Sequence, residues 1–367
     1  MSSPETGGGS RLDEFSSGKS ISVAPGSIEK ELASMWRNLY LSAQKGERTA
    51  ITRACLWNLI VRTPGGAAFT EAKKIVDDIS PSLPAHVLVL STNAAGPDAP
   101  LEAWIEANWH AGGGGSRQIG SEEVTIAASG SAVNELLPSM VRALVVSDVP
   151  TAAVWHGMSP SGDAVDGELF AAAQRAVVGV EGSEDSLRGM AAIVETSAKA
   201  AADLTSLAWL RTTAWRQLLA SLFDPPTPEG ELATVDGVTI SCSEDNVGAA
   251  LLTLGWLATR LGWKGAKRVG ARIYQVTSSK GETITARIEP AASGGDDVLA
   301  RVELSTPSGP YAVTRDGRGV VLETPEVARK QPRHVPSNAD LWLDSLGARG
   351  HDPLFAAALR AISPLLK

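Results

Sequence analysis

The sequence predicts an α/β plus α+β protein: an N-terminal mixed-sheet α/β domain, then a helical segment, then an antiparallel β-meander domain with C-terminal helices. Three observations carry this. An apolar strand-like run at 51–62, a helical stretch at 70–79 and a second apolar run at 85–90 follow one another with short connections, as in a βαβ unit. From Arg272 to Glu323 short strands alternate with glycine-bearing turns. The length of 367 residues exceeds the roughly 250–300 that one core usually holds. Two domains are therefore expected, at 28–182 and 183–367, behind a leader at 1–27.

Met1 to Ser27, rich in Ser and Gly, reads as a disordered leader; no basic region precedes an apolar one, so it is not a signal peptide. Ile28 to Ala43 puts Ile28, Leu32, Met35, Trp36 and Leu39 on one side of a helix. Ile51 to Arg62 is rich in β-branched and aromatic residues and ends at Thr63-Pro64-Gly65-Gly66. Thr70 to Ile79 is a helix stopped before Pro81, and Ala85 to Leu90 is a strand covered on both faces. Leu101–Trp109 and Glu123–Ala128 alternate on either side of the Gly112–Gly115 loop, which makes a hairpin. Asn134 to Leu144 is helical, Val149 to Trp155 is strand-like, and Phe170 to Val178 is a short apolar helix or strand.

Ser183-Glu184-Asp185 is a helix start, and the helical region after it runs to Phe223 with room for a break near Asp203. Val235 to Ser241 is a strand, and Val247 to Trp263 a helix apolar nearly all round, hence buried. The meander follows as Ile273–Thr277, Thr283–Glu289, Val298–Ser305, Tyr311–Arg315 and Gly319–Glu323. Helices around Asp340–Leu346 and Pro353–Leu366 close the chain.

Composition removes several classes of function. A net charge of −8 argues against a nucleic-acid surface. The longest apolar tract, Leu136 to Trp155, is broken by Pro138, Arg142, Asp148 and Pro150 and cannot span a membrane, so a cytoplasmic protein is expected. Cys55 and Cys242 form no CxxC pair and the five histidines have no ligand spacing, so neither a metal nor any other cofactor is expected. The Gly112–Gly120 run precedes a strand-like segment rather than a helix, which makes it a hairpin loop and not a phosphate cradle. Glu122 and Glu123 face opposite sides of a strand, Asp296-Asp297 sits in a glycine turn, and both pairs read as solvated charge. With no GxSxG motif to supply a nucleophile, the chain reads as a non-enzyme.

The candidate site is the stretch Ser206 to Pro226. Leu204, Leu207, Ala208, Arg211, Trp215, Leu218 and Leu222 follow one helical face, so Arg211 falls inside an apolar stripe one turn before Trp215. Such a guanidinium must snorkel, stack on the indole or meet an anion. Trp209, Arg211, Trp215 and Arg216, with Arg117 in the glycine loop, are the partner- or anion-binding candidates. From spacing alone, a core helix with snorkelling arginines competes with that reading.

Several segments, spread roughly from Ile51 to Leu359, are together similar to the glucose-6-phosphate dehydrogenase assembly protein family, OpcA. They are Arg53-Ala-Cys-Leu-Trp-Asn-Leu-Ile-Val61, His86-Val-Leu-Val-Leu90, Gly120-Ser-Glu-Glu-Val-Thr-Ile126, Leu137 to Pro150 with Trp155, and the Leu-Ala-Trp-x-Arg-x-x-x-Trp-Arg spacing of 207–216. The chain departs from the family pattern at Ser206 (usually Asp), Ala214 (often Pro), His86 (usually Arg), His156 (often Trp) and Gly120 (Cys in some relatives). The resemblance implies a non-catalytic cytosolic protein that binds glucose-6-phosphate dehydrogenase and promotes its assembly or active conformation, raising flux into the oxidative pentose phosphate pathway and NADPH supply. The competing reading is an enzyme or sensor for a sugar phosphate or nucleotide, with Arg211 and Arg216 as phosphate ligands.

Overall fold

The computed structural model of the chain describes residues 17–46, 49–111, 118–179, 187–189, 191, 202–224, 227–292, 297–347 and 350–366. The chain divides into two compact units, Met1–His156 with Asp163–Gln174, and Gly157–Gly162 with Arg175–Lys367.

The first unit is built on a mixed sheet. In spatial order its strands are β1 (Ile21–Val23), β5 (Glu102–Ala111), β6 (Gln118–Ser129), β4 (Ala85–Asn93), β3 (Trp57–Thr63) and β7 (Thr151–Trp155), with β2 (Ile51–Arg53) beside β6. The pairs β3–β4, β4–β6, β3–β7 and β2–β6 are parallel, whereas β5 is antiparallel to β6 and β1 to β5. Parallel strands need cover on both faces, and β7 is buried throughout, as is β3 after Trp57. Helix α1 (Ile28–Gln44) buries Ile28, Leu32, Met35 and Leu39, and α2 (Gly66–Ile79), which links β3 to β4, buries Ala72, Ile75, Val76 and Ile79. Helices α3 (Ala132–Glu135), α4 (Leu137–Leu144) and α5 (Ala164–Ala172) complete the described helices of this unit.

Three expectations change here. The run 51–62 is two strands, because β6 is long enough for β2 to pair at its start and β4 along the rest. The chain leaves that edge at Ala54, whose N–H bonds to Gly120 O, and re-enters the sheet beyond β4 as β3. The leader is not disordered up to Ser27: Ile21–Val23 pairs with Ala103–Ile105, which supplies its backbone with partners. The apolar run at 170–178 is neither one helix nor one strand but the end of α5 followed by β8 (Arg175–Val178).

In the second unit β8 pairs in parallel with β9 (Asp203–Ser206). Two short helices follow, α6 (Leu207–Arg211) and α7 (Thr213–Ser221). A separate eight-stranded sheet has the order β11 (Lys264–Gly270), β12 (Ile273–Thr277), β13 (Thr283–Pro290), β10 (Gly237–Cys242), β14 (Arg301–Thr306), β15 (Gly309–Asp316), β16 (Gly319–Glu323) and β17 (Ala328–Pro332). The expected meander is therefore interrupted. Strand β10 lies between β13 and β14, parallel to the first and antiparallel to the second. The edge strands β11 and β17 escape a hydrophobicity pattern, because Lys-Gly-Ala-Lys-Arg-Val-Gly and Ala-Arg-Lys-Gln-Pro show no buried alternation. Their basic side chains suit exposed edges, where charge discourages pairing with another sheet.

Helix α8 (Val247–Arg260) is buried on nearly every side, as expected, and packs against α10 (Pro353–Ile362); α9 (Asn338–Gly347) precedes the latter. The expected helix start at Ser183-Glu184-Asp185 lies outside the described residues. Among the described residues no helix is long and apolar enough to cross a membrane.

The α8–α10 contact depends on a residue without a side chain. A Cβ at Gly255 would lie 2.3 Å from the carbonyl oxygen of Ala358, a backbone atom that cannot swing away. Gly255→Ala is therefore expected to destabilise the protein by about 1–3 kcal/mol or more despite its gain in helix propensity. Urea unfolding monitored by tryptophan fluorescence checks this; an unchanged midpoint would contradict the close approach.

Candidate functional site

The segment 206–221 folds as two helices, not one. Ser206 Oγ caps α6 by accepting the Trp209 N–H at 3.1 Å, the role for which an acidic residue would also serve. Thr212 then breaks the helix, its Oγ donating to Trp209 O at 2.9 Å. The break turns the predicted single face into two, and each candidate side chain finds different surroundings.

Trp209 is only 2% exposed, and its Nε1 donates to Asp352 Oδ2 at 2.7 Å. Asp352 Oδ1 accepts the Leu354 and Phe355 N–H groups, so one carboxylate both caps α10 and holds the indole. The guanidinium of Arg216 stacks on the Trp209 ring, Cζ 3.5 Å from its centroid, and donates to Trp209 O, Thr212 Oγ1 and Thr213 Oγ1. Burial pushes the Arg216 pKa down to about 10, against the opposing pull of Asp352, which leaves it a cation at neutral pH.

Trp215 is fully buried, and its Nε1 donates to Asp297 Oδ1 at 2.9 Å. Arg333, not Arg211, takes the place beside that indole, with Cζ 5.0 Å from the ring centroid and an ion pair to Asp297. Arg211 donates to Asn338 Oδ1, while its buried Nε has no hydrogen-bond partner. Of the predicted residues, then, Trp209 and Arg216 come together, and Arg211 and Trp215 serve separate contacts. Both tryptophans belong to the core of this unit, so neither indole is an exposed recognition group. Arg117 lies outside the described residues.

The acidic residues read as solvated charge are the clearest correction. Glu122 and Glu123 do face opposite ways, but they are 3% and 2% exposed. Glu122 accepts from His86 Nδ1 at 2.7 Å, from the Trp36 indole N–H and from Arg53. Burial raises its pKa, but the hydrogen bond and attraction of His86, the Arg53 charge and the Trp36 N–H outweigh it and hold the carboxyl below its ordinary value. Glu123 bonds Lys73 and Thr125, with Glu106 sharing the same ammonium; there burial wins over Lys73 and the pKa rises. Asp297 is likewise buried, 6% exposed, because Trp215 and Arg333 both use it. Asp296 lies outside the described residues.

A further buried charge lies at the C-terminal end of β3. Arg62, 2% exposed, donates to Asp163 Oδ1 and Oδ2 at 2.7 and 2.6 Å, to Asp166, and to Thr92 Oγ1 at 3.2 Å. Trp155 Nε1 donates to the same Asp166 at 2.6 Å. The sequence signal was present, since an arginine inside Trp-Asn-Leu-Ile-Val-Arg-Thr must find carboxylates once that strand is central. Only the fold says which ones.

The positions that depart from the family pattern have local explanations. His86 serves Glu122, and His156 Nε2 lies 3.4 Å from Glu71 Oε2. A Cβ at Gly120 would come within 2.7 Å of Trp36 Cη2 and 2.8 Å of Ile51 Cγ2, so a side chain there requires Trp36 to move. Cys55 and Cys242 lie in different units, and burial raises both thiol pKa values, that of Cys242 to about 11. Neither is a ready thiolate at neutral pH. Among the described residues no group of His, Cys, Asp and Glu could hold a metal ion.

Two outcomes test these networks. Asp166→Asn leaves the Arg62 charge with Asp163 as its one carboxylate and is expected to cost about 1.5–3 kcal/mol in chemical denaturation; a loss below about 1 kcal/mol would mean the ion is hydrated. The lowered Glu122 pKa gives stability that is present above the unfolded-state value of about 4.5 and is lost as pH falls through the folded value. Stability measured between about pH 6 and 3 should therefore fall less steeply in Glu122→Gln than in the parent protein. Equal slopes would reject the assignment.

Two family models match the chain in order. The first describes the N-terminal domain of a glucose-6-phosphate dehydrogenase subunit and covers residues 76–195; the second describes the C-terminal domain of the same protein and covers 202–359. The OxPP cycle protein OpcA of Nostoc punctiforme is 28% identical over 196 residues, which are 52% of this chain and 41% of that protein. Its counterpart in Synechocystis sp. is 28% identical over 201 residues, 53% of this chain and 40% of that protein. The match thus spans about two fifths of the length of these curated relatives. Among solved structures, myo-inositol dehydrogenase from Lactobacillus casei aligns with a TM-score of 0.42 and 12% identity over 84% of this chain and 92% of that one. That level of likeness carries no argument about chemistry. The paired domain models, supported by the named relatives, place the chain in the OpcA family of glucose-6-phosphate dehydrogenase assembly proteins.

Proposed function

We propose that this protein is a non-catalytic partner of glucose-6-phosphate dehydrogenase that favours one assembled or active state of that enzyme, and so raises flux into the oxidative pentose phosphate pathway and NADPH supply. The observation that carries the reading is the ordered match of two domain models, both belonging to a dehydrogenase-associated protein, over residues 76–195 and 202–359. The mechanism requires only that the protein bind one state of the enzyme more tightly than another.

The interior of the first unit supports the non-catalytic half. Open α/β sheets bind their ligands beyond the C-terminal strand ends, where the strand order reverses. Here that place lies between β3 and β7, with β4 on the other side of β3, and the Arg62–Asp163–Asp166 cluster and the Trp155 indole N–H, all hydrogen-bonded to one another, lie at those strand ends.

The test is a titration of the purified protein into the dehydrogenase of the same organism, following complex mass and initial rates together. A complex of defined mass with a changed rate is expected. No complex and no rate change at micromolar concentrations would overturn the proposal. The sugar-phosphate or nucleotide reading is favoured by one observation: among the described residues, neither Arg211 nor Arg216 has a carboxylate within ion-pair distance. If that reading holds, glucose 6-phosphate or a nucleotide raises the melting temperature in a concentration-dependent way, and Arg211→Ala abolishes the rise.

A further inference from the structure

We infer that the second unit carries a binding site for an organic cation, a guanidinium or ammonium on a short apolar stem, with Glu231 as its buried counter-ion. The site is a cavity of about 260 Å³ between the end of α7 and strands β15 and β16. Pockets for drug-sized ligands run to about 300–1,000 Å³, so this one admits a single side chain or a molecule of that size. The inference does not rest on the dehydrogenase reading.

Four features set the ligand chemistry. Leu222, Leu322 and Pro325 give apolar walls that suit a methylene stem, and Tyr311, its ring stacked on Phe223, lines the cavity beside them. Asp224, Glu231 and Glu326 line the cavity against one guanidinium, that of Arg329, so its charge is net negative. Glu231 is only 9% exposed, and its Oε1 accepts from Thr306 Oγ1 at 2.7 Å. Its other oxygen accepts no described hydrogen bond and keeps some exposure on the cavity wall, and no described cation lies within ion-pair distance. A buried carboxylate is costly without a counter-charge. At the other buried carboxylates among the described residues, Asp166, Glu122, Glu123, Glu106 and Asp297, a cation sits on the acid. Glu231 breaks that pattern, and it does so on the wall of a cavity.

A guanidinium could arrive free or on a protein chain, and the test separates the two. N-butylguanidine, its uncharged analogue N-butylurea, and the capped peptide Ac-Ala-Arg-Ala-amide are titrated into the full chain by calorimetry and thermal shift. Saturable binding of N-butylguanidine, with none by N-butylurea, is expected. Glu231→Gln, which keeps a carbonyl acceptor for Thr306 and removes the charge, should weaken it at least about tenfold. If the peptide also binds, the source is a partner's arginine; if the peptide is excluded, it is a free small cation. Absence of saturable binding by both cations, equal binding of N-butylurea, or unchanged affinity in Glu231→Gln overturns the site. Should that variant fail to fold, the pair Asp224→Asn with Glu326→Gln carries the decision, an unchanged affinity there being equally fatal.

Discussion

Burying a charge demands that its partner be buried with it, and much of this architecture depends on that demand being met. Arg62 is the clearest case. Its guanidinium lies at the end of a central parallel strand, where water cannot reach it, so two aspartates from the start of α5 must come to it. Asp163 also caps α5 through the Asp166 N–H, and Asp166 also takes the Trp155 indole. One ion cluster thus sets where the helix begins and which way it approaches the sheet.

The second unit repeats the logic with an indole as intermediary. Asp352 caps α10 and accepts from Trp209, and the Trp209 ring carries Arg216. Asp297 accepts from Trp215 and pairs with Arg333, which also approaches that ring. Each tryptophan therefore has an apolar body in the core and an N–H committed to an acid, the amphipathic use to which indoles are suited. A chain with ten tryptophans and three tyrosines needs many such acceptors.

These networks bear on function by what they occupy. The two indoles of the family signature are committed to the interior, so recognition of a partner would have to use other surfaces around them, such as the half-buried guanidiniums of Arg211 and Arg216. The signature spacing of 207–216 is then a constraint of the core.

Periodicity and turn chemistry alone determined the amphipathic α1, the βαβ order, the hairpin, the buried α8 and the strands at 273–277 and 319–323, because each is a local pattern with a local cause. The same chain of residues also placed Arg211 in an apolar stripe and Glu122 and Glu123 on opposite faces. Tertiary structure alone decided the rest. It inserted β10 into the meander, split 51–62 into a short strand beside β6 and a central one, drew Ile21–Val23 onto β5, and chose Arg333 over Arg211 for the indole of Trp215. The buried carboxylates likewise pair across 33 to 104 residues, from Lys73–Glu106 to Arg62–Asp166. No window of sequence contains both members of such a pair, and the energy of a buried charge is fixed by its partner, not by its neighbours in the chain.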